Sequence, residues 1–442
     1  MNDYEKNNIE ESAQPSEVGG TSTLTLSSRK SISADDLRNT LKRAFSRRPS
    51  LAKYFKDHED HNFWVWANTT GAFLDDDLRD ALPPVPPPQM MLCGNEPREF
   101  VCLGAGHYSE MQRVLNQIGR SWETSLAVLD FGCGSGRTSR FFAKNASYQR
   151  FVGYDLTAGA IDWLRSELGF GDFQVGFANP PLPIEDSSMD VIFSVSVFSH
   201  LTAESQQAWL EEFRRVLRPD GIVFQTVHGR FAMERCKKYE CLFQMLSVSP
   251  EHFATLDRQL KKVGFGWVPH ISTTVETCDY GMAFHSEEYI TSQWTNGYEL
   301  IGIWPGRIDN WQDLVALRRS DIVRIYPIWP EKGLAPVEKV TLSCYPEIQE
   351  PGQPLLLKAS ACGGRDVHYK FFTAETETLW RPISDWQESG QLEYVVWIPG
   401  EVDFTVSAAS GRGIHTFPDA EAGFRVTISE TLPLPGRKNG IS

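Results

Sequence analysis

Residues 126–136, Leu-Ala-Val-Leu-Asp-Phe-Gly-Cys-Gly-Ser-Gly, join an apolar run to a turn in which Gly132, Gly134 and Gly136 alternate with other residues. Glycine lets a backbone approach a ligand closely, and a helix start offers unpaired N–H groups to an anionic group. The segment predicts a strand, a ligand-binding turn and a helix that begins at 137–139. A turn with a purely structural role is the alternative.

The glycine spacing separates two kinds of ligand. The dinucleotide fingerprint G-x-G-x-x-G places its third glycine one residue later, where this chain has Arg137. A guanidinium suits a carboxylate better than close helix packing. We therefore expect a ligand with an amino-acid end, and an NAD-dependent oxidoreductase is the disfavoured alternative.

A second apolar run, 151–154, ends at Asp155. An acid at the end of the second strand of such a unit accepts hydrogen bonds from ribose hydroxyls. The competing interpretation is that Asp155 caps the helix that passes through Ile161 and Leu164. We favour the ribose role.

These segments resemble the class I S-adenosylmethionine-dependent methyltransferases. Residues 130–137 resemble the first motif of that family, 153–156 the second, 182–192 the approach to the fourth strand, and 212–221 the helix and turn before the fifth. The resemblance implies that the glycine turn holds the methionine portion of the cofactor and that Asp155 holds the ribose. The implied cofactor-binding residues are Asp130, Gly132, Cys133, Gly134, Gly136, Arg137, Asp155, Leu156, Asn179 and Ser194.

The chain departs from this family where adenine is bound. An acid is common there, whereas this chain has Ala178-Asn179. Asn179 offers both a donor and an acceptor. Asn179-Pro180-Pro181 also invites comparison with the Asn-Pro-Pro-aromatic motif of amino-group methyltransferases. We reject that assignment because the tripeptide precedes the fourth strand and Leu182 replaces the aromatic residue.

Methyl transfer from a sulfonium is an in-line displacement, and a hydroxyl acceptor also needs a base. His200, after the predicted fourth strand, and His228, at the end of the fifth, are the candidate catalytic residues. A structural role is the alternative for each histidine. In methyltransferases of this kind an N-terminal helix lies over the cofactor, so His107 and Tyr108 are candidate substrate contacts.

Composition sets further expectations. The 442 residues suggest two or three domains, and the net charge of −14 argues against a nucleic-acid partner. The eight cysteines form no CxxC pair, and we expect neither a signal peptide nor a membrane span, which favours the cytoplasm. We expect no metal, because the charged run 57–61 is typical of a solvated face.

Alternating strands and helices predict an α/β, doubly wound, Rossmann-like parallel sheet with strands near 126–131, 150–155, 173–177, 190–196 and 221–228. Two antiparallel runs, at 298–304 and 311–317, are expected to close it. The predicted domains are a disordered tail at 1–32, a helical and extended lead-in at 33–105 with a proline-rich linker, a methyltransferase domain at 106–325 and a β-sandwich at 337–430. An insert at about 230–285 is expected to select the substrate.

The aromatic segments at 369–372, 397–400 and 404–406 resemble immunoglobulin-like triple-tyrosine domains, which are accessory modules. The whole sequence predicts a cytoplasmic methyltransferase that uses S-adenosylmethionine on a small-molecule or glycan-type acceptor, with oxygen as the favoured atom. A protein or a sugar is the expected ligand of the C-terminal sandwich. A catalytically silent cofactor-binding scaffold is the second alternative.

Overall fold

The structure is a computed structural model that describes residues 33–91, 96–269, 280–320, 335–374, 380–384, 387–396, 400–410 and 419–429. The predicted tail at 1–32 and residues 397–399 of the aromatic pattern lie outside these ranges. In the described part of the chain, no helix has both the length and the apolar character needed to span a membrane.

The α-helices are α1 Ala34–Ser46, α2 His61–Trp66, α3 Ala72–Leu74, α4 Asp76–Ala81, α5 Pro97–Gln117, α6 Ala158–Glu167, α7 Ala203–Val216, α8 Arg230–Lys238, α9 Glu240–Met245, α10 Pro250–Val263 and α11 Glu287–Gln293.

The N-terminal helices pack directly on the central domain. Helix α1 begins after Ser33, whose hydroxyl accepts a hydrogen bond from the amide of Asp36. Leu37 and Leu41 on its apolar face are buried in the same core as Phe141 of the central domain. The lead-in therefore adds a layer to that core.

The proline-rich run is also held against the domain. The buried Arg140 guanidinium donates hydrogen bonds to the carbonyls of Pro83 and Pro84. Helix α5 then begins at Pro97 and runs to Gln117, so it includes His107 and Tyr108. Proline is favoured in the first turn of a helix, and the glycines inside α5 do not end it.

A central mixed sheet positions the candidate site. Its strands lie in the order β3-β2-β1-β4-β5-β9-β8, with β1 to β5 parallel and β9 and β8 antiparallel. The predicted doubly wound sheet and its closing antiparallel pair are confirmed. The strands up to this point in the chain are β1 Ala127–Phe131, β2 Arg150–Asp155, β3 Asp172–Val175, β4 Met189–Ser194, β5 Leu217–Val227, β6 Phe265–Pro269, β7 Gly281–His285, β8 Tyr298–Ile308 and β9 Gln312–Arg319.

The segment after the glycine turn differs from the prediction. Residues 134–138 form turns, and the helix that follows, Ser139–Asn145, is a 3-10 helix. The side chain of Ser139 donates to Asp130, while Arg140 reaches the proline run. A short 3-10 helix supplies a weaker dipole than the α-helix that the sequence suggested.

The predicted insert consists of α8, α9 and α10 followed by the hairpin of β6 and β7; residues 270–279 lie outside the described part. The hairpin is joined to the segment after β4, because the amides of Gly281 and Ala283 donate to the carbonyls of His200 and Ser199. The insert therefore lies at the edge of the sheet where β4 ends.

A β-rich region follows the central sheet. Its two sheets, β10-β12-β15 and β11-β17-β16-β13-β14, share one apolar core that includes Leu357, Phe371 and Phe404. Short alternating strands were predicted here, and they are present. They are β10 Val337–Tyr345, β11 Ile348–Gln349, β12 Pro354–Gly363, β13 His368–Ala374, β14 Trp380–Pro382, β15 Gln391–Val395, β16 Gly400–Ala409 and β17 Ala420–Ile428.

Candidate active site

A cavity of about 420 Å³ lies at the carboxyl ends of β1, β2, β3 and β4. Ligands of open α/β sheets bind at this edge, and a volume of this size suits a small molecule. The lining residues come from the glycine turn, the strand ends, α5, α7 and the insert. They are Phe100, Phe131–Ser135, Arg137, Tyr154–Thr157, Phe177, Ala178, Val195–Val197, His200, Leu201, Ser205, Trp209 and Tyr280.

The glycine turn needs its glycines for both conformation and space. Gly132, Gly134 and Gly136 have φ values of +79°, +51° and +82°, which other residues rarely adopt. A Cβ on Gly132 would lie 2.3 Å from Cγ2 of Val197, and a Cβ on Gly136 would lie 2.5 Å from Cδ2 of Leu164. The turn therefore packs closely against its neighbours while Gly132 and Gly134 face the cavity.

Asp155 links the turn to the end of β2. One carboxylate oxygen accepts from the amide of Gly134 at 2.7 Å, and the other accepts from the amide of Thr157 at 2.8 Å. The N-cap position of α6 is occupied by Thr157, not Asp155, and the Thr157 side chain makes no capping hydrogen bond. Because a carboxylate has about four lone-pair positions, Asp155 retains acceptor capacity toward the cavity. The glycine backbone and this carboxylate fit the amino-acid and ribose ends of S-adenosylmethionine.

Some of the other predicted cofactor-binding residues line the cavity, and others are buried behind its wall. Arg137, Cys133 and Leu156 line the cavity. Asp130 is buried behind the turn, where its carboxylate accepts from the Ser139 hydroxyl at 2.6 Å and burial raises its pKa to about 7.

Burial raises the pKa of the Cys133 thiol well above its usual value, so this thiol stays protonated near neutral pH. Ser194 is buried and bonded to Gln225, and Asn179 is exposed. Neither of these two residues lines the cavity, so their contacts with the cofactor remain predictions.

His200 lies on the cavity wall beside the insert. Its ring stacks on Tyr280 with centroids 4.7 Å apart and planes at 13°. Its Nδ1 lies 2.8 Å from the carbonyl oxygen of Gly281. Because a carbonyl only accepts, Nδ1 carries a proton, and in the neutral form of the ring Nε2 is the basic nitrogen. The hairpin therefore fixes both the orientation and the tautomer of His200.

His228 lies deeper. Its ring is 6.4 Å from that of His200 between centroids, but it is buried beside Phe284 and Trp311 and does not line the cavity. Burial lowers the pKa of His228 to about 3, so the ring is neutral at pH 7. Of the two candidate histidines, only His200 is placed to touch an acceptor.

His107 and Tyr108 do not match the expected orientation toward the substrate. His107 is fully buried, with Nδ1 3.2 Å from the Thr138 hydroxyl and Nε2 2.9 Å from the Asp309 carboxylate. Tyr108 is buried among aromatic rings, including a stacked contact with Trp122 at 5.7 Å. Phe100, two turns before His107 on the same face of α5, lines the cavity instead.

The sequence did not identify Tyr280, Phe177 or Phe100 as lining residues. Phe177 lies two residues after the end of β3 and is 76% exposed, so its position at the end of the predicted third strand was an available signal. Tyr280 had no local signal, because it reaches the cavity only through the pairing of Leu201 with Tyr280 across 79 positions of the chain.

Comparison with known proteins supports a methyltransferase domain. A profile of the family described as "Methyltransferase domain" matches residues 128–221. The tRNA N(3)-cytidine methyltransferase METTL2 of Gallus gallus is 28% identical over 130 residues, 27% of this chain and 35% of that protein. A thiol S-methyltransferase of Mus musculus is 27% identical over 131 residues, 27% of this chain and 50% of that protein. The chain thus spans half or less of the length of these curated relatives.

A solved structure is also similar. Magnesium protoporphyrin IX methyltransferase from Synechocystis PCC 6803, solved with bound SAH, is 13% identical, with a TM-score of 0.34. The similarity covers 58% of this chain and 97% of that one.

The expected partners need correction. The expectation was a small-molecule or glycan-type acceptor and no nucleic acid, but METTL2 proteins of Drosophila melanogaster, Danio rerio and Mus musculus also match this chain. Nucleic acid was excluded on the net charge of the whole chain, which does not describe the charge of any one part of its surface. Helix α8 alone carries Arg230, Arg235, Lys237 and Lys238. A local basic surface is therefore compatible with an acidic chain.

The matched residues include the glycine turn, Asp155 and His200, and they extend from β1 to the beginning of β5 in the parallel part of the central sheet. Both the sequence match and the strand order favour S-adenosylmethionine over a dinucleotide. The chain therefore contains a class I S-adenosylmethionine-dependent methyltransferase domain.

Proposed function

We propose that this protein transfers a methyl group from S-adenosylmethionine to a nucleic-acid acceptor, specifically an RNA base. The observation that carries the proposal is the cavity whose walls include the Asp155-linked glycine turn and the His200–Tyr280 pair. Phe177 and Tyr280 also present aromatic rings on which a planar base stacks. The tRNA methyltransferase relatives support the same acceptor class.

S-adenosylmethionine supplies an electrophilic methyl group on a sulfonium, so the protein has to align the acceptor atom with that methyl group. The glycine turn and Asp155 are suited to hold the two ends of the cofactor. His200 is suited to accept a proton through Nε2 where the acceptor atom carries one, because Gly281 holds the Nδ1 proton.

The test is methyl transfer from tritiated S-adenosylmethionine to a cell extract that is then divided into RNA, protein and small-molecule fractions. Label in the RNA fraction that ribonuclease releases as methylated nucleosides is the expected result. Label confined to protein or small molecules would overturn the RNA proposal, and no labelled product in any fraction would overturn methyl transfer itself.

Two narrower statements belong to the same proposal. We infer that the C-terminal β-rich region is an immunoglobulin-like accessory module, supported by two sheets around one core. A crystal structure of the whole chain with a different strand arrangement would refute this.

A cytoplasmic location is supported by the free cysteines of the described residues and is tested by cell fractionation.

A further inference from the structure

A second cavity, of about 830 Å³, lies between the insert and the C-terminal β-rich region. One wall is α8 with the residue after it, the second is α10, and the third is the start of β17. We name it the α8 groove. The apolar part of its lining includes Phe231, Met233 and Leu260.

The charge of the α8 groove is opposite to that of the whole chain. Positive charge exceeds negative charge by two in the lining, whereas the complete sequence carries −14. An excess of positive charge inside a concave surface attracts phosphate groups. The contributing cations are Arg230, Arg235, Lys237, Lys238 and Lys261, against the anions Glu234, Asp257 and Glu421. Arg230 also pairs with Glu288 at 2.9 Å outside the lining, so the excess rests mainly on the other four cations.

The cations differ in their accessibility. Lys237 is held between Glu234 at 2.5 Å and Asp257 at 2.8 Å, so its charge is largely compensated. Lys261 pairs with Asp257 at 2.7 Å and Lys238 lies 3.9 Å from Glu421, but their side chains are 68% and 65% exposed. Exposed ion pairs contribute little stability, so these two lysines can turn toward a phosphate at small cost.

A carboxylate from the β-rich region already lies among the cations of α8. Glu421 is 3.8 Å from the Arg235 guanidinium, 3.9 Å from the Lys238 ammonium and 3.4 Å from the Tyr239 hydroxyl. These distances exceed those of hydrogen-bonded ion pairs, which are near 2.8 Å. The Oε1 atom of Glu421 also accepts a hydrogen bond from the Ser407 hydroxyl at 3.0 Å, within its own sheet. The cations of α8 thus face a carboxylate that they hold only at long range, and a phosphate can take its place against them.

An aromatic ring is interleaved with these charges. Arg235 and Lys238 lie over the ring of Tyr239, 5.4 Å and 5.0 Å from its centroid. Cations combined with an aromatic ring are typical of surfaces that bind single-stranded nucleic acids, because bases stack on the ring while phosphates meet the cations.

The α8 groove starts next to the candidate active site. Arg230 follows β5 after two residues, and β5 ends beside the cavity wall, where the Thr226 hydroxyl accepts from the amide of Ser196. An RNA strand that places one base in the cavity therefore has the α8 groove nearby, on the segment that follows β5.

We propose that the α8 groove binds the phosphate backbone of the RNA acceptor, with Glu421 as a competing internal carboxylate. The proposal rests on the proposed function and adds the surface that positions the acceptor. The insert and the β-rich region contribute to it together, which gives the C-terminal region a role in acceptor binding.

The test measures binding of a fluorescent single-stranded RNA of about 20 nucleotides by anisotropy over a range of salt concentrations. K238A/K261A removes two exposed charges from the groove. If both lysines contact phosphates, the plot of log affinity against log salt concentration becomes less steep by about 1.4. The affinity at 0.1 M salt then falls roughly 25-fold. The matched control K339A/K358A removes two exposed charges from the β-rich region outside the groove and should bind as the wild type does.

Glu421→Gln provides a second measurement in the opposite direction. It should raise RNA affinity, whereas the control Glu393→Gln, on an exposed residue of β15, should not. Inorganic phosphate and a mononucleotide should compete only weakly, because each occupies one phosphate position. Competition by polyglutamate as strong as that by unlabelled RNA would overturn the assignment to RNA.

The outcome is separable from that of the proposed function. If wild-type protein methylates RNA while K238A/K261A and K339A/K358A bind it equally, the groove proposal is wrong and the function stands. If the groove variants lose RNA affinity and the wild type methylates no RNA, the surface stands and the acceptor assignment is wrong. Unchanged affinity for S-adenosylhomocysteine in every variant shows that folding is intact.

Discussion

Asp155 at the end of β2 accepts a hydrogen bond at 2.7 Å from the backbone amide of Gly134 in the turn after β1. The same carboxylate accepts from Thr157, so one side chain connects two loops at the edge of the sheet. This arrangement fixes the turn before a ligand binds, and a fixed turn loses less conformational freedom on binding.

Asp155→Asn is expected to weaken cofactor binding. An amide has one acceptor oxygen, so its NH₂ group must face either the Gly134 or the Thr157 amide, and the turn loses its support. Loss of one charge-assisted hydrogen bond corresponds to about 1.5–3 kcal/mol, or roughly 10- to 150-fold in affinity. Calorimetric titration with S-adenosylhomocysteine measures it. Asp162→Asn, on an exposed side chain of α6, is the control, and equal affinities for both variants would refute the role of Asp155.

His200→Gln is expected to lower kcat about 10²- to 10⁴-fold for an acceptor atom that carries a proton, because glutamine cannot accept it. Affinity for S-adenosylhomocysteine should change little, since the predicted cofactor contacts lie at the glycine turn. Single-turnover methyl transfer measures the chemical step. His58→Gln, outside the cavity, is the matched control. The same rate for both variants would rule out His200 as the base.

The local pattern of the sequence was sufficient to predict the sheet. Strands β1, β2 and β4 are short apolar runs. The glycine turn follows β1 and Asp155 is the last residue of β2, so position along the chain determines position at the sheet edge. The position of the cavity along α5 was not predictable in this way. Phe100 and His107 are two turns apart on the same helix face, and only packing determines which of them reaches the cavity.

Features that depend on distant pairing were not predictable either. Tyr280 reaches His200 because β7 pairs with the segment after β4, and no local pattern near Tyr280 reveals that pairing. The composition argument against nucleic acids failed for a related reason. Charge summed over the chain does not reveal that Arg235 and Lys238 are brought together on one groove.

The unfolding free energy should depend on pH through Asp130. Burial raises the pKa of this carboxyl from 3.8 to about 7, so between these pH values the folded state binds more protons than the unfolded state. Stability therefore falls as pH rises from about 4 to about 7, by up to about 4 kcal/mol. Asp130→Asn lacks this titration and retains an oxygen for the Ser139 hydroxyl.

Urea unfolding at several pH values should show the difference between wild type and Asp130→Asn growing over this window and staying constant above it. Asp162→Asn, whose side chain is exposed, should follow the wild-type curve. A parallel pH dependence of the wild type and Asp130→Asn would show that another group is responsible.

Two glycines of α5 give a matched comparison of packing around the turn. A Cβ on Gly104 would lie 2.0 Å from the carbonyl oxygen of Arg137, whereas a Cβ on Gly106 would meet nothing within 4 Å. Gly104→Ala is expected to destabilise the protein by about 1–3 kcal/mol and to weaken S-adenosylhomocysteine binding, because Arg137 must move and it lines the cavity. Gly106→Ala should stabilise the helix by about 0.5–1 kcal/mol, since alanine loses less backbone entropy on folding. Thermal unfolding and calorimetry measure both effects, and equal behaviour of the two variants would show that α5 does not support the turn.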